Sequence, residues 1–147
     1  MAAIQDVIGA IQDCIGQVSG IKAAPDYPPD DISIFPFSAA FEGEGNWSWY
    51  TSGSTYGSKK GLLSVVVEIH LALISLPITA QQAAYYSEAI PNAILKGVRS
   101  DRLADTVISV ERIDTSGLIP MAWGSKEVNT LGYHFVVRGI NVKNDIT

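Results

Sequence analysis

Cysteine and charge are scarce in this chain, and long apolar runs are missing. Cys14 is the single cysteine, so the chain can form neither an internal disulfide nor a cluster of thiolate metal ligands. This favours a reducing compartment. No apolar run reaches the roughly 18 residues of a membrane span, and the first residues lack the basic and then apolar pattern of a secretion signal. We therefore expect a soluble, unsecreted protein that does not enter a membrane.

Charged residues make up 17% of the chain, whereas a typical small globular domain has about a quarter. A surface with so little charge is expected to be covered in part by partner subunits. The net charge is -5, and the acids are concentrated in residues 1–58, where Lys22 is the one base. This asymmetry fits head-to-tail contact between copies, and a net acidic chain is a poor candidate for gripping nucleic acid.

Length and composition predict one domain over residues 1–147, because 47% of the residues are hydrophobic and can form a sizeable core. Its central element is the apolar run 62–74, in which every second residue from Leu63 to Leu73 is apolar, as in a long strand. The intervening residues are mixed and include Glu68 and His70. We expect one face of this strand to lie on a core and the other to meet water or another subunit.

The remaining elements follow from periodicity and from proline and glycine. Apolar residues at spacings of three and four predict an amphipathic helix over residues 2–18, with Cys14 as a small buried hydrophobe. The other predicted elements are an extended connector over 25–31, a short strand over 32–41 with Pro36 at an edge or bulge, a helix over 79–95 kinked by Pro91 and ended by Gly97, strands over 106–113, 118–123, 128–131 and 133–142, and a turn over 114–117. The result is an α+β fold, mostly antiparallel, with the long central strand packed by an N-terminal and a middle helix.

Residues 42–61 combine five glycines with four aromatic residues, which predicts a long loop, partly a hairpin. Loops longer than about 12 to 15 residues are usually functional or disordered. Exposed aromatic side chains commonly anchor partners, so Trp47, Trp49, Tyr50 and Tyr56 are candidate contacts with a partner or a second copy. The alternative is that they fold back over the edge of the sheet.

Motifs for catalysis or cofactor binding are weak. The segment Gly53–Lys59 has the wrong spacing for a phosphate-binding loop and precedes a strand. Glu68, His70 and His134 could hold zinc if the central and last strands pair. A simpler interpretation is that they are polar residues on a face of the sheet that meets solvent or another subunit. We therefore assign no catalytic, cofactor or metal residues, and we place Glu68 and His70 among the candidate interface residues.

Several landmarks together resemble the tail terminator (tail completion) proteins of long-tailed bacteriophages. These landmarks are the opening helix, the linker 24–30, Phe35-Pro36, the glycine-rich 42–45, the segment 65–71, and a helix that contains Ile90-Pro91-Asn92-Ala93-Ile94-Leu95. The resemblance covers nearly the whole chain as an order of elements. A typical member has a charged residue just after the long strand, where this chain has Ile74-Ser75.

The resemblance implies a structural virion protein of the tail or neck, assembled in the host cytoplasm. Such a subunit forms a homo-hexameric ring on the tail tube, stops tube growth and meets the head-closure or connector protein, while DNA passes through without sequence-specific binding. Combined with the charge pattern, this suggests that the acidic first part meets the more basic second part of a neighbour. The alternatives are another neck protein, such as a head-closure or head-tail adaptor component, or a small metal-dependent enzyme or ligand-binding domain.

Overall fold

The computed structural model describes residues 4–27, 34–49, 59–73, 80–123 and 128–142. Two helices and six strands lie in these residues, and the strands form one antiparallel sheet. In chain order the elements are α1 (Ile4–Gly16), β1 (Phe37–Glu42), β2 (Asn46–Trp49), β3 (Lys59–Leu73), α2 (Ala80–Asp105), β4 (Val107–Ser109), β5 (Arg112–Trp123) and β6 (Val128–Val142). The predicted α+β fold with a long central strand is confirmed.

The six strands form four rows. β3 and β6 are the two central rows, β1 and β2 together form one outer row, and β4 and β5 together form the other. β3 and β6 pair with each other in the centre, with Glu68 directly opposite His134. β1 and β2 pair in succession with β3, and β4 and β5 pair in succession with β6. Strands of 15 residues thus form the middle of the sheet, and interrupted strands form its two sides.

One face of the sheet carries the main core. Val65, Val67 and Ile69 of β3 are fully buried, as are Phe135 and Val137 of β6. The helices add a second set of apolar side chains to the same cluster: Val7, Ile8, Ile11, Ile15, Ala83, Ile90 and Ile94. Since each fully buried aliphatic side chain contributes about 1.5 to 3 kcal/mol, this layer supplies most of the drive to fold. The predicted apolar face of the central strand is therefore confirmed.

The two helices cross where Gly97 meets Cys14. A Cβ on Gly97 would overlap Cys14 Sγ and would lie 3.1 Å from Leu103 Cδ2. Cys14 packs against the main cluster while staying half-buried, and burial, with smaller contributions from Asp101 and Asp13, raises the pKa of its thiol. The prediction that Gly97 ends α2 is wrong, because α2 continues to Asp105. Gly97 instead allows the two helices to approach closely.

Gly97→Ala should lower the free energy of unfolding by about 1 to 3 kcal/mol, because the added methyl overfills the helix crossing. Adding Cys14→Ala removes the overlapping sulfur. The double variant should recover part of the loss, since alanine is intrinsically better than glycine in a helix by about 1 kcal/mol. Urea unfolding of the single and double variants measures the coupling, and strictly additive losses would contradict a clash at this crossing.

Three further boundaries differ from the prediction. The expected strand 32–41 begins at Phe37, after Pro36. The segment 114–117 is no turn: it lies inside β5 as an irregularity in the pairing between Thr115 and Leu118, with Gly117 at φ +76°. The weak candidate strand 128–131 and the strong final strand 133–142 are one continuous strand, β6.

The end of α2 is unusual. Its backbone leaves helical geometry at Asp101 rather than at Pro91, and Arg102, Leu103, Ala104 and Asp105 all have positive φ. A left-handed conformation costs roughly 1 to 2 kcal/mol for each residue that carries a Cβ. The chain therefore turns from α2 into β4 through a strained, left-handed segment.

Candidate functional site

The face of the sheet opposite the helices was expected to meet water or a second copy, but its centre is covered by this chain. Phe37 and Ala39 of β1 are buried there and pack with Trp123 at the end of β5. The Trp123 ring lies edge-on to the His70 ring, with centroids 5.7 Å apart, and 6.2 Å from the Phe41 ring. A second, smaller apolar cluster thus closes over this part of the sheet.

His70 lies beneath this cluster and is fully buried. Its Nδ1 lies 2.6 Å from Thr130 Oγ1, and its Nε2 lies 3.1 Å from Glu68 Oε1. An ionised carboxylate can only accept a hydrogen bond, so in this contact the Nε2–H group is the donor and Glu68 Oε1 the acceptor. Thr130 is also fully buried, and its hydroxyl lies 3.5 Å from the Met121 carbonyl oxygen. The network therefore links β3, β6 and β5.

The order hydroxyl, imidazole, carboxylate is the order of groups in a nucleophilic triad. Such a site needs a nucleophile that a substrate can reach, and in this structure neither Thr130 nor His70 has any exposed surface. The arrangement gives hydrogen-bond partners to the buried side chains of His70 and Thr130, with the partly exposed Glu68 as one acceptor. These bonds help to fix the register of β3 against β6. We therefore interpret Glu68, His70 and Thr130 as a structural hydrogen-bond network that holds the strands together, and we call it the clasp.

The zinc hypothesis required Glu68, His70 and His134 to come together. The central and last strands do pair, with Glu68 opposite His134, and Glu68 is bonded to His70. Both ring nitrogens of His70 are already engaged, however. In the part of the chain that the structure describes, no three His, Cys, Asp or Glu side chains are grouped so that they could hold a metal ion.

The candidate interface residues separate into three groups. Trp47 and Trp49 lie in β2, whose backbone pairs them with Gly61 and Lys59 of β3. Tyr50 and Tyr56 lie outside the described residues, as does the whole segment 50–58 of the predicted glycine-rich loop. Glu68 retains a side-chain exposure of 18%, so it can still meet a partner. The fully buried His70 has no surface to offer one, because Trp123, distant in sequence, covers it.

A second buried polar network was missed in the sequence. The Gln12 side-chain amide donates to the carbonyl oxygens of Pro25 and Ser38 at 2.9 Å each, and the Ser38 hydroxyl donates back to Gln12 Oε1 at 2.6 Å. These bonds join α1 to the connector and to β1. The one available signal was the position of Gln12 beside the apolar stripe of α1.

An exposed ion-pair network lies on β5 and β6. Asp114 accepts hydrogen bonds from Arg138 Nε at 2.6 Å and Arg112 Nε at 3.2 Å, and Arg112 also bonds Glu111. The Arg138 hydrogen bond, aided by Arg112, lowers the pKa of the Asp114 carboxyl. Because these groups are largely exposed, water screens them and their effect on stability is small.

Charge is also uneven on the helices. A shallow groove on the exposed side of α2 is lined by Asn92, Leu95, Lys96, Arg99 and Ser100, which include two bases and no acid. On α1 the exposed charged residues are Asp6 and Asp13. The groove on α2 is therefore basic while the exposed charges of α1 are acidic, and the exposed acids of α2, Glu88, Asp101 and Asp105, lie outside this groove.

None of the described helices is both long and apolar enough to cross a membrane. In comparisons with known proteins, no protein-family model and no curated protein matches this chain.

Proposed function

We propose that this chain is a structural subunit of a bacteriophage tail, a tail terminator that forms a ring on the end of the tail tube and joins it to the head connector. The observation that carries the proposal is the two-stranded ribbon formed by β2 and the start of β3. The last described pair between β3 and β6 is Leu62 with Asn141, whereas β3 continues to Lys59 and pairs there with β2. This ribbon holds Trp47 and Trp49.

A two-stranded ribbon is at best marginally stable in water by itself, so contact with another surface would stabilise this one. Trp47 and Trp49 are two positions apart in β2. Aromatic residues are the commonest anchors of protein interfaces. This ribbon would contact the tube or an adjoining subunit.

Ring formation requires two different patches on each subunit. The acidic exposed side of α1 and the basic groove on α2 are such a pair, and they match the uneven charge of the sequence. The low total charge, 17% of residues, also supports a surface that partners cover. The landmarks shared with tail terminators suggest a homo-hexamer.

The double variant Trp47→Ala, Trp49→Ala should stay folded, because the backbone pairing of β2 does not need the indoles, but it should no longer stop tube growth. The measurement is the length of tail tubes in electron micrographs when the tube protein of the same genome polymerises with the wild-type or variant chain. Tyr85→Ala, which removes a 43% exposed aromatic ring from α2, is the matched control and should cap normally. Normal tube lengths with the tryptophan variant would contradict the proposal.

The alternative is another neck protein, a head-closure or head-tail adaptor component. It differs in partner rather than in architecture, so binding to the connector without any effect on tube length would favour it. A small enzyme is less well supported, because Thr130 and His70 are inaccessible in this structure. A mass measurement that gives a monomer binding zinc would favour that class, and a ring of about six copies would favour the terminator.

A further inference from the structure

The last turn of α2 is wound with the opposite hand to the rest of the helix. The φ angles of Arg102, Leu103, Ala104 and Asp105 are 55°, 52°, 55° and 60°. Left-handed backbone normally occurs at single residues, most often glycine or asparagine. Four residues with side chains in this conformation hold strain that other contacts must offset.

The contacts that offset it include one core side chain and several local hydrogen bonds. Leu103 is 1% exposed and packs in the main core. Thr106 donates its amide hydrogen to the Arg102 carbonyl at 3.1 Å and its hydroxyl hydrogen to the Leu103 carbonyl at 2.7 Å, and Ala104 donates its amide hydrogen to Asp101 Oδ1 at 3.1 Å. Because these bonds lie within one short segment, they would be lost together.

The strand that follows is weakly held. β4 has three residues, and its two pairs with β6, Val107 with Val142 and Ser109 with Asn141, are separated by a register shift. Val107 is buried, but Ile108 between them is 52% exposed. The sheet therefore secures this end of the segment by one apolar side chain and a short run of pairing.

We propose that residues 101–109 are a latch that opens as a local unit while the rest of the sheet stays folded. On opening, the four left-handed residues relax, Leu103 leaves the core and β4 separates from β6. The backbone of Asn141 and Val142 then becomes available to pair with another strand. A right-handed rewinding of the segment would bring Leu103 to the exposed side of α2, eight residues from Leu95. The latch rests on these contacts alone and does not depend on the proposed function.

Hydrogen exchange on the full chain, followed by NMR at low urea, tests the latch. The amide protons of Thr106 to Ser109 should exchange at least about 100-fold faster than those of Phe135 and Val137, and their rates should hardly depend on urea, as for sub-global opening. Exchange of these amides with the same urea dependence as Phe135 would overturn the proposal.

Two matched glycine substitutions distinguish local opening of the latch from a general destabilisation of α2. Ala104→Gly removes the steric penalty of the left-handed turn and should slow exchange of Thr106 to Ser109 by about fivefold to tenfold. Ala84→Gly, on the exposed side of the regular part of α2, should leave those rates unchanged. Unchanged or faster exchange in Ala104→Gly would show that strain does not control the opening.

Discussion

Gly132→Ala should destabilise the fold by about 3 kcal/mol or more, at the upper end of the range for overfilled cores. Gly132 is buried in β6, where it pairs with His70 on one side and Ile119 on the other. A Cβ there would overlap the Ile69 backbone carbonyl oxygen and would lie 2.9 Å from Met121 Cε. A backbone atom of a central strand cannot move aside without breaking the pairing of β3 with β6.

Gly117→Ala is the control for this effect, because it also replaces a strand glycine. A Cβ at Gly117 would have open space around it, and the cost there comes from its φ of +76°. That strain is about 1 to 2 kcal/mol. Thermal and urea unfolding at one protein concentration compares the two variants, and equal losses would contradict the steric role assigned to Gly132.

His70→Ala is the second substitution with a large expected effect, a loss of about 3 to 5 kcal/mol, as when one partner of a buried pair is removed. The variant leaves the buried Thr130 hydroxyl and the Glu68 carboxylate without the imidazole, and it opens a cavity against the Trp123 ring. Chemical unfolding gives the size of the loss.

Two further variants serve as controls for the His70 prediction. His134→Ala removes the same ring from the half-buried position opposite Glu68 and should change stability by no more than about 1 kcal/mol. Adding Thr130→Val to His70→Ala removes the stranded hydroxyl and should restore part of the stability. A His70→Ala variant as stable as His134→Ala would contradict the clasp.

The long strand and both helices could be predicted because their apolar periodicity extends over many residues. Two predicted strand boundaries, near Gly117 and Gly132, were wrong for the same reason: a glycine can mark a turn, but it can also lie inside a strand. Gly117 follows Asp114-Thr115-Ser116, a typical turn composition, yet it serves an irregularity inside β5. Gly132 breaks the apolar pattern of β6, yet it is there because the neighbouring backbone approaches so closely.

The candidate site was predictable in part. Strand patterns alone suggested that Glu68 and His134 could come near each other if their strands pair, and the two residues are opposite each other in the sheet. The burial of His70 could not be predicted from the residues next to it in the sequence. The ring that covers it belongs to Trp123, which is distant in the sequence and lies in β5. The same limit applies to Gln12 and Ser38, whose hydrogen bonds join residues 26 positions apart.

The pairing of β3 with β6 sets how this chain must fold. Glu68 and His134 are 134 − 68 = 66 positions apart, so the middle of the sheet forms only after a long loop that includes all of α2 has closed. Closing such a loop costs entropy before any contact repays it, and proteins with many distant contacts fold slowly. Until that closure, the edge of β3 that pairs with β6 stays unpaired, and an unpaired strand edge exposes a freshly made chain to aggregation.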